Sequence, residues 1–144
     1  MPVSQGASNL PLQVGPNLPG PVQDSSSTPP HTISITYLTP AQAAEPALAF
    51  PVDAEGQGGP RYDPMTGQIL SGWIVIRTDP TTDPSTITGQ HVLEHEAIHT
   101  LNVAHAAHGS GEIMEPALVP GASPTLGAGD RYALAVVGCT APTS

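Results

Sequence analysis

Lysine is absent from this 144-residue chain, and only Arg61, Arg77 and Arg131 carry fixed positive charge against 12 aspartates and glutamates, for a net charge of −9. A phosphate backbone is held by clustered Lys and Arg, so nucleic acid and anionic membrane surfaces are not expected partners. No apolar run approaches the ~18 to 20 residues needed to cross a bilayer, so no membrane span is expected. Cys139 stands alone. An internal disulfide is therefore excluded and the redox compartment stays open, the thiol reading as an ordinary buried or tail residue. The N-terminus, MPVSQGASNLPLQVGPNLPG, shows neither a basic region nor an apolar core, so no signal peptide is visible. Nor is there a G-x-S-x-G elbow for serine chemistry.

What is present is unevenly distributed. The first thirty residues hold seven of the 18 prolines, three glycines and one charge, Asp24. Such a stretch neither propagates a helix nor pairs as a central strand, so residues 1–30 read as an extended arm or linker and 31–144 as one domain. In HTISITYL, Ile33 and Ile35 alternate with Ser34 and Thr36, the pattern of a half-buried strand. TPAQAAEPALAF predicts a short helix in which Pro46 starts a second turn or breaks it. PVDAEGQGGPRYDPMTG predicts loop. QILSGWIVIRT predicts strand in two pieces around Ser71 and Gly72, with Trp73 to Arg77 the stronger. A helix beginning near Thr88 as N-cap, with Ile87 and Val92 as a staple, would carry Leu93, Ala97 and Leu101 on a core face. His91, His95 and His99 would lie on the opposite, polar face. A last helix is expected from Asp130 to about Val137, giving an α+β class overall.

Five of the six histidines fall between His91 and His108, and HEAIHTLNVAH alone holds three of them with a glutamate. His95 and His99, four apart on a helix, bring two imidazoles to within reach of one ion. Glu96 lies about 100° round the helix, beside that face rather than on it, where a carboxylate can act as a base. His91 is eight residues, ~12 Å of rise, from His99, so one ion cannot take both. On a continued helix His105 would point about 240° away and ~9 Å further on. It joins the pair only if the helix stops and the chain doubles back, and Asn102, which tolerates the left-handed conformation, sits where that turn must fall. Two alternatives stand beside this set: Glu112 or Glu115 as the third ligand, and a solvated histidine-rich helix with no metal. His91, His108 and His31 read as solvent-facing or hydrogen-bonded rings.

HEAIHTLNVAH resembles the elongated zinc-binding helix of the metzincin metallopeptidases, His-Glu-x-x-His-x-x-Gly-x-x-His, with Asn102 in place of the family's glycine. Met114, nine residues after His105 in GEIMEP, is similar to the family's Met-turn, and the following Pro116 makes the chain closest to the matrixin branch. DPMTGQILSGWIVIRTD resembles the edge-strand region of those domains. The resemblance implies a small domain with a mixed twisted sheet, an active-site helix, a Met-turn and a C-terminal helix. It implies one catalytic Zn²⁺ on His95, His99 and His105, with Glu96 as general base for peptide-bond hydrolysis by a metal-activated water. An extended peptide or protein substrate would add to the edge strand, assigned to Trp73, Ile74, Val75 and Ile76. Ala117 and Leu118 would form a pocket wall, and Asp130 would either brace the Met-turn or serve as a helix cap. The aspartates of TDPTTDP offer oxygens to Ca²⁺, but their prolines and spacing give no calcium-loop signature. A monomer is expected, and an extracellular location follows from the resemblance alone. The alternative is a zinc-binding recognition or adhesion domain without turnover.

Overall fold

The computed structural model describes residues 30–118, 122 and 124–138. The expected arm, but for Pro30, and Cys139 lie outside the described residues. Three strands and three helices follow one another as β1 (Ile33–Leu38), α1 (Pro40–Ala43), β2 (Gly56–Tyr62), β3 (Ile69–Arg77), α2 (Ile87–His99) and α3 (Ala128–Val136), with a 3-10 turn at Pro46–Leu48. The sheet is mixed: β3 lies in the centre, parallel to β1 and antiparallel to β2. The α+β class and the mixed sheet stand as expected. In the alanine-rich segment Thr39 caps α1 by accepting from the Gln42 N–H, and Pro46 opens the second turn.

β3 explains the sheet. Ile74 and Ile76 pack with Val92 of α2 on one face, while Trp73 and Val75 pack with Ala43 and Phe50 on the other. A strand with an unbroken apolar run, here Trp73 to Ile76, is covered on both sides and belongs in the middle. Trp73, Ile74, Val75 and Ile76 are therefore not an edge strand, which corrects the sequence expectation. Nor does β3 break at Ser71 and Gly72; the irregularity in pairing falls opposite, between Arg61 and Tyr62.

The edge next to the helix is β2, built from GQGGPRY, the stretch expected to be loop. Gly56 and Gly58 are explained by the approach of α2. A Cβ at Gly58 would lie 2.4 Å from the Glu96 carbonyl oxygen, and one at Gly56 would lie 2.9 Å from the Glu96 side chain. Pro60, without an N–H, suits an edge.

α2 covers β2 and β3. The face of β1 that shares their side of the sheet is left open, and Ile33, Ile35 and Tyr37 are 42% to 48% exposed. The alternation expected in β1 is real, but its apolar members point outward and Ser34 and Thr36 are half-buried. α2 corrects two further expectations. Its N-cap is Thr86, whose hydroxyl accepts from the Gly89 N–H at 2.9 Å; Thr88 sits inside the first turn. Its histidine face is buried too, with His91, His95 and His99 at 7% exposure or less, while Leu93 and Ala97, half-buried, pack against the Ile74, Ile76 and Val92 cluster as expected of a core face.

Candidate metal centre

α2 ends at His99, and the chain continues through a tight turn in which Leu101 N–H donates to the Ile98 carbonyl and Asn102 N–H to the His99 carbonyl. Asn102 takes φ +65°, the left-handed conformation the spacing required. The reversal carries His105 back to the helix. Nε2 of His99 lies 3.0 Å from Nε2 of His95 and 3.1 Å from Nε2 of His105, and the third side of the triangle is 3.2 Å. Among the described residues, these three are the group close enough to hold a metal ion.

Two main-chain carbonyls decide which nitrogens face inward. His95 Nδ1 lies 2.7 Å from the Ile113 carbonyl oxygen, and His99 Nδ1 lies 2.8 Å from that of Val103. A carbonyl only accepts, so each Nδ1 carries the proton and each Nε2 presents a bare lone pair. Two such lone pairs 3.0 Å apart repel unless a cation sits between them. For metal–nitrogen bonds of ~2.0 to 2.1 Å at a tetrahedral angle, nitrogens stand about 3.3 Å apart. The triangle fits one small divalent ion with a coordination position left over.

Burial prepares the rings for this. It pulls His95 down from 6.5 to about 4 and His99 from 6.5 to about 3, and it lowers the half-exposed His105 as well. At neutral pH His95 and His99 are already in the ligating form, and no proton need be displaced from them. Glu96 is 4% exposed, its Oε2 has no hydrogen-bond partner, and burial raises its carboxyl from 4.5 to about 8. A carboxyl placed this way exchanges protons near neutral pH.

The segment after His105 is a platform held from below. Ala106 N–H donates to the Met114 carbonyl at 2.7 Å, and Met114 is buried with Ile98, Val103 and Ile113. Asp130, at the start of α3, accepts from the N–H groups of Ile113 and Met114 at 2.7 and 3.2 Å, and also from Gly127 N–H. Asp130 is thus a brace, and it is not the N-cap of α3: that residue is Gly127, whose N–H Asp130 holds from the third helical position. Glu112 accepts from Gly129 and Asp130 N–H, and Glu115 from Gly109 and Gly111 N–H. Both glutamates tie down the loop and stand outside the metal-competent group, which removes them as third ligands. The aspartates offered for calcium are similarly engaged: Asp79 accepts from Thr81 and Thr82, and Asp83 from Ser85.

A cleft of about 590 Å³ opens on the site, lined among others by Gly56, His95, Glu96, His105, Pro116 and Leu118. Ala117 also lines it, as expected of a pocket wall. The β3 residues Trp73 to Ile76 do not; they are buried in the sheet. His108 is exposed. His91 departs from expectation, being 7% exposed with Nε2 unpartnered. Sequence reasoning missed the glycines of β2, whose signal was their spacing in GQGG, and the carbonyls of Val103 and Ile113, which carry no side-chain signal at all. Compared with known proteins, the chain matches no family model, no curated protein and no solved structure.

Proposed function

We propose that this chain is a zinc-dependent endopeptidase of metzincin type, with His95, His99 and His105 as the ligands and Glu96 as the general base. The observation that carries the reading is the convergence of three imidazole nitrogens, two of them fixed in the ligating tautomer by main-chain carbonyls. Three neutral nitrogen donors without a carboxylate, at tetrahedral spacing, suit zinc better than calcium or magnesium, which take oxygen ligands. Zinc held there would polarise a carbonyl and activate water. The chain's own groups supply the rest. Glu96, adjacent in sequence to a ligand and facing the cleft, takes a proton at its carboxylate and returns it to the departing amine. The wall from Pro116 to Leu118 confines the substrate. The free edge of β2, whose Gly56 lines the cleft, offers main-chain hydrogen bonds to an extended peptide. The resemblance of HEAIHTLNVAH and Met114 to the metzincin pattern points the same way, as does Asp130 beneath the turn.

Metal analysis of purified protein is expected to find about one zinc per chain, removed by chelator and restored by Zn²⁺. The zinc-loaded protein should cleave members of a diverse peptide library, and Glu96→Gln should retain zinc while losing ~10² to 10⁴ in kcat. Zinc without cleavage of any peptide would leave the non-catalytic recognition reading. Absence of zinc at neutral pH would remove both.

A further inference from the structure

We infer that a second, smaller cavity beside the metal centre is a subsite for a short substrate side chain bearing a hydroxyl or primary amide, read by His91. This rests on the endopeptidase reading and adds what the site selects. The cavity holds about 50 Å³ and is lined by His91, Gly111, Glu112, Ile113, Glu115 and Ala117, with Ala122. Glu115 and Ala117 also line the main cleft, so the two spaces share one wall. His91 stands one helical turn before His95 and belongs to none of the bonds that build the metal centre.

His91 is more than nine-tenths buried, and its Nε2 has no hydrogen-bond partner. A buried polar atom left bare costs ~1 to 3 kcal/mol, and folded proteins complete nearly all such atoms from somewhere. Here the neighbouring groups are already committed: Glu112 to Gly129 and Asp130, and Glu115 to Gly109 and Gly111. Each carboxylate oxygen nonetheless keeps a second acceptor position. The cavity therefore presents an imidazole nitrogen that can donate or accept and carboxylates that can only accept. A hydroxyl or primary amide both donates and accepts, so it satisfies either tautomer of His91. Space selects further, since about 50 Å³ takes one or two water-sized groups. Ser, Thr and Asn side chains fit; Phe and Arg do not. An apolar side chain of matching size would fill the space and leave Nε2 bare.

The test uses zinc-loaded protein and peptides matched as Ser against Ala, and Asn against Leu, at each position around the cleaved bond. At one position wild type should prefer the polar member about tenfold in kcat/KM, the value of one hydrogen bond of ~1.4 kcal/mol. His91→Leu should erase that preference while keeping zinc and cleavage of the Ala peptide, and His91→Gln should retain most of it. Cleavage without any polar preference, or a preference unchanged in His91→Leu, overturns the subsite and leaves the endopeptidase standing. Failure of zinc-loaded wild type to cleave any peptide overturns the endopeptidase reading, and the subsite with it. A wild-type Ser-to-Ala ratio near one overturns the subsite even where His91→Leu does not fold.

Discussion

Asn102 takes the chain out of α2 at φ +65° and so decides whether His105 can reach the other two rings. Asparagine adopts this conformation at little cost and glycine at less, whereas a β-branched residue there is strained by ~1 to 2 kcal/mol or more. Asn102→Gly should therefore fold and hold zinc close to wild type. Asn102→Val should lose thermal stability and weaken zinc retention against a chelator series. Indistinguishable zinc retention in the two variants would show that the turn does not depend on the backbone conformation at this residue. The convergence of His95, His99 and His105 was legible before any fold was known, because i, i+4 spacing, a turn-former and the resemblance are all carried by one local stretch of the chain. The tautomers were not. They depend on the carbonyls of Ile113 and Val103, and one of these lies 18 residues from the ring it fixes.

At the scale of elements, the same separation between local and distant information decides what could be read. α2 and α3 were legible as helices, and Asp130 as a brace, from caps, periodicity and resemblance. The order of the strands was not, because GQGG is loop-like by propensity and becomes a strand only where α2 presses against it. That contact gives a test. Gly58→Ala places a Cβ 2.4 Å from the Glu96 carbonyl oxygen, which is backbone and cannot swing away. It should cost ~1 to 3 kcal/mol of overpacking and disturb Glu96. Gly59→Ala meets the ring of Trp73 at 3.2 Å on the other face and should be milder. Equal losses of Tm in the two variants would mean that close packing of β2 on α2 does not hold the site. The turn at Ile113 and Met114 offers a second test. Asp130→Ala removes both bonds to Ile113 and Met114, and with them the support for the carbonyl that fixes His95. Such outer partners are worth ~10- to 100-fold in metal affinity. The variant should bind zinc that much more weakly, and unchanged affinity would demote Asp130 to holding the start of α3 alone.

For the whole molecule, the buried groups of the site make the stability of the metal-free protein depend on pH in two opposing ways. His95 and His99 titrate near 4 and 3 in the folded chain against 6.5 when exposed. Between those limits the unfolded chain binds protons that the folded chain refuses, so acidification below 6.5 destabilises the fold. Glu96 runs the other way: folded, it keeps its proton up to about 8, whereas unfolded it releases it near 4.5. Between 4.5 and 8 the folded chain binds the extra proton, so stability falls as pH rises through that window. Each proton contributes a slope of ~1.4 kcal/mol per pH unit. From 4.5 to 6.5 His95 and His99, with His105 lowered in the same direction, act against one carboxyl, and stability rises with pH. From 6.5 to 8 the carboxyl acts alone, and stability falls. Chelator-treated protein should therefore show a Tm maximum near pH 6.5, with a decline toward pH 8 that disappears in Glu96→Gln, since an amide does not titrate. Saturating zinc binds only the folded state and should lift the whole curve. It should steepen the acid side, where protons compete for the three rings, and shrink the alkaline decline, because a nearby cation favours ionised Glu96. An alkaline decline of equal size in metal-free wild type and metal-free Glu96→Gln would show that the carboxyl is not buried against the helix as described, and the base beside the metal would have to be sought elsewhere along the cleft.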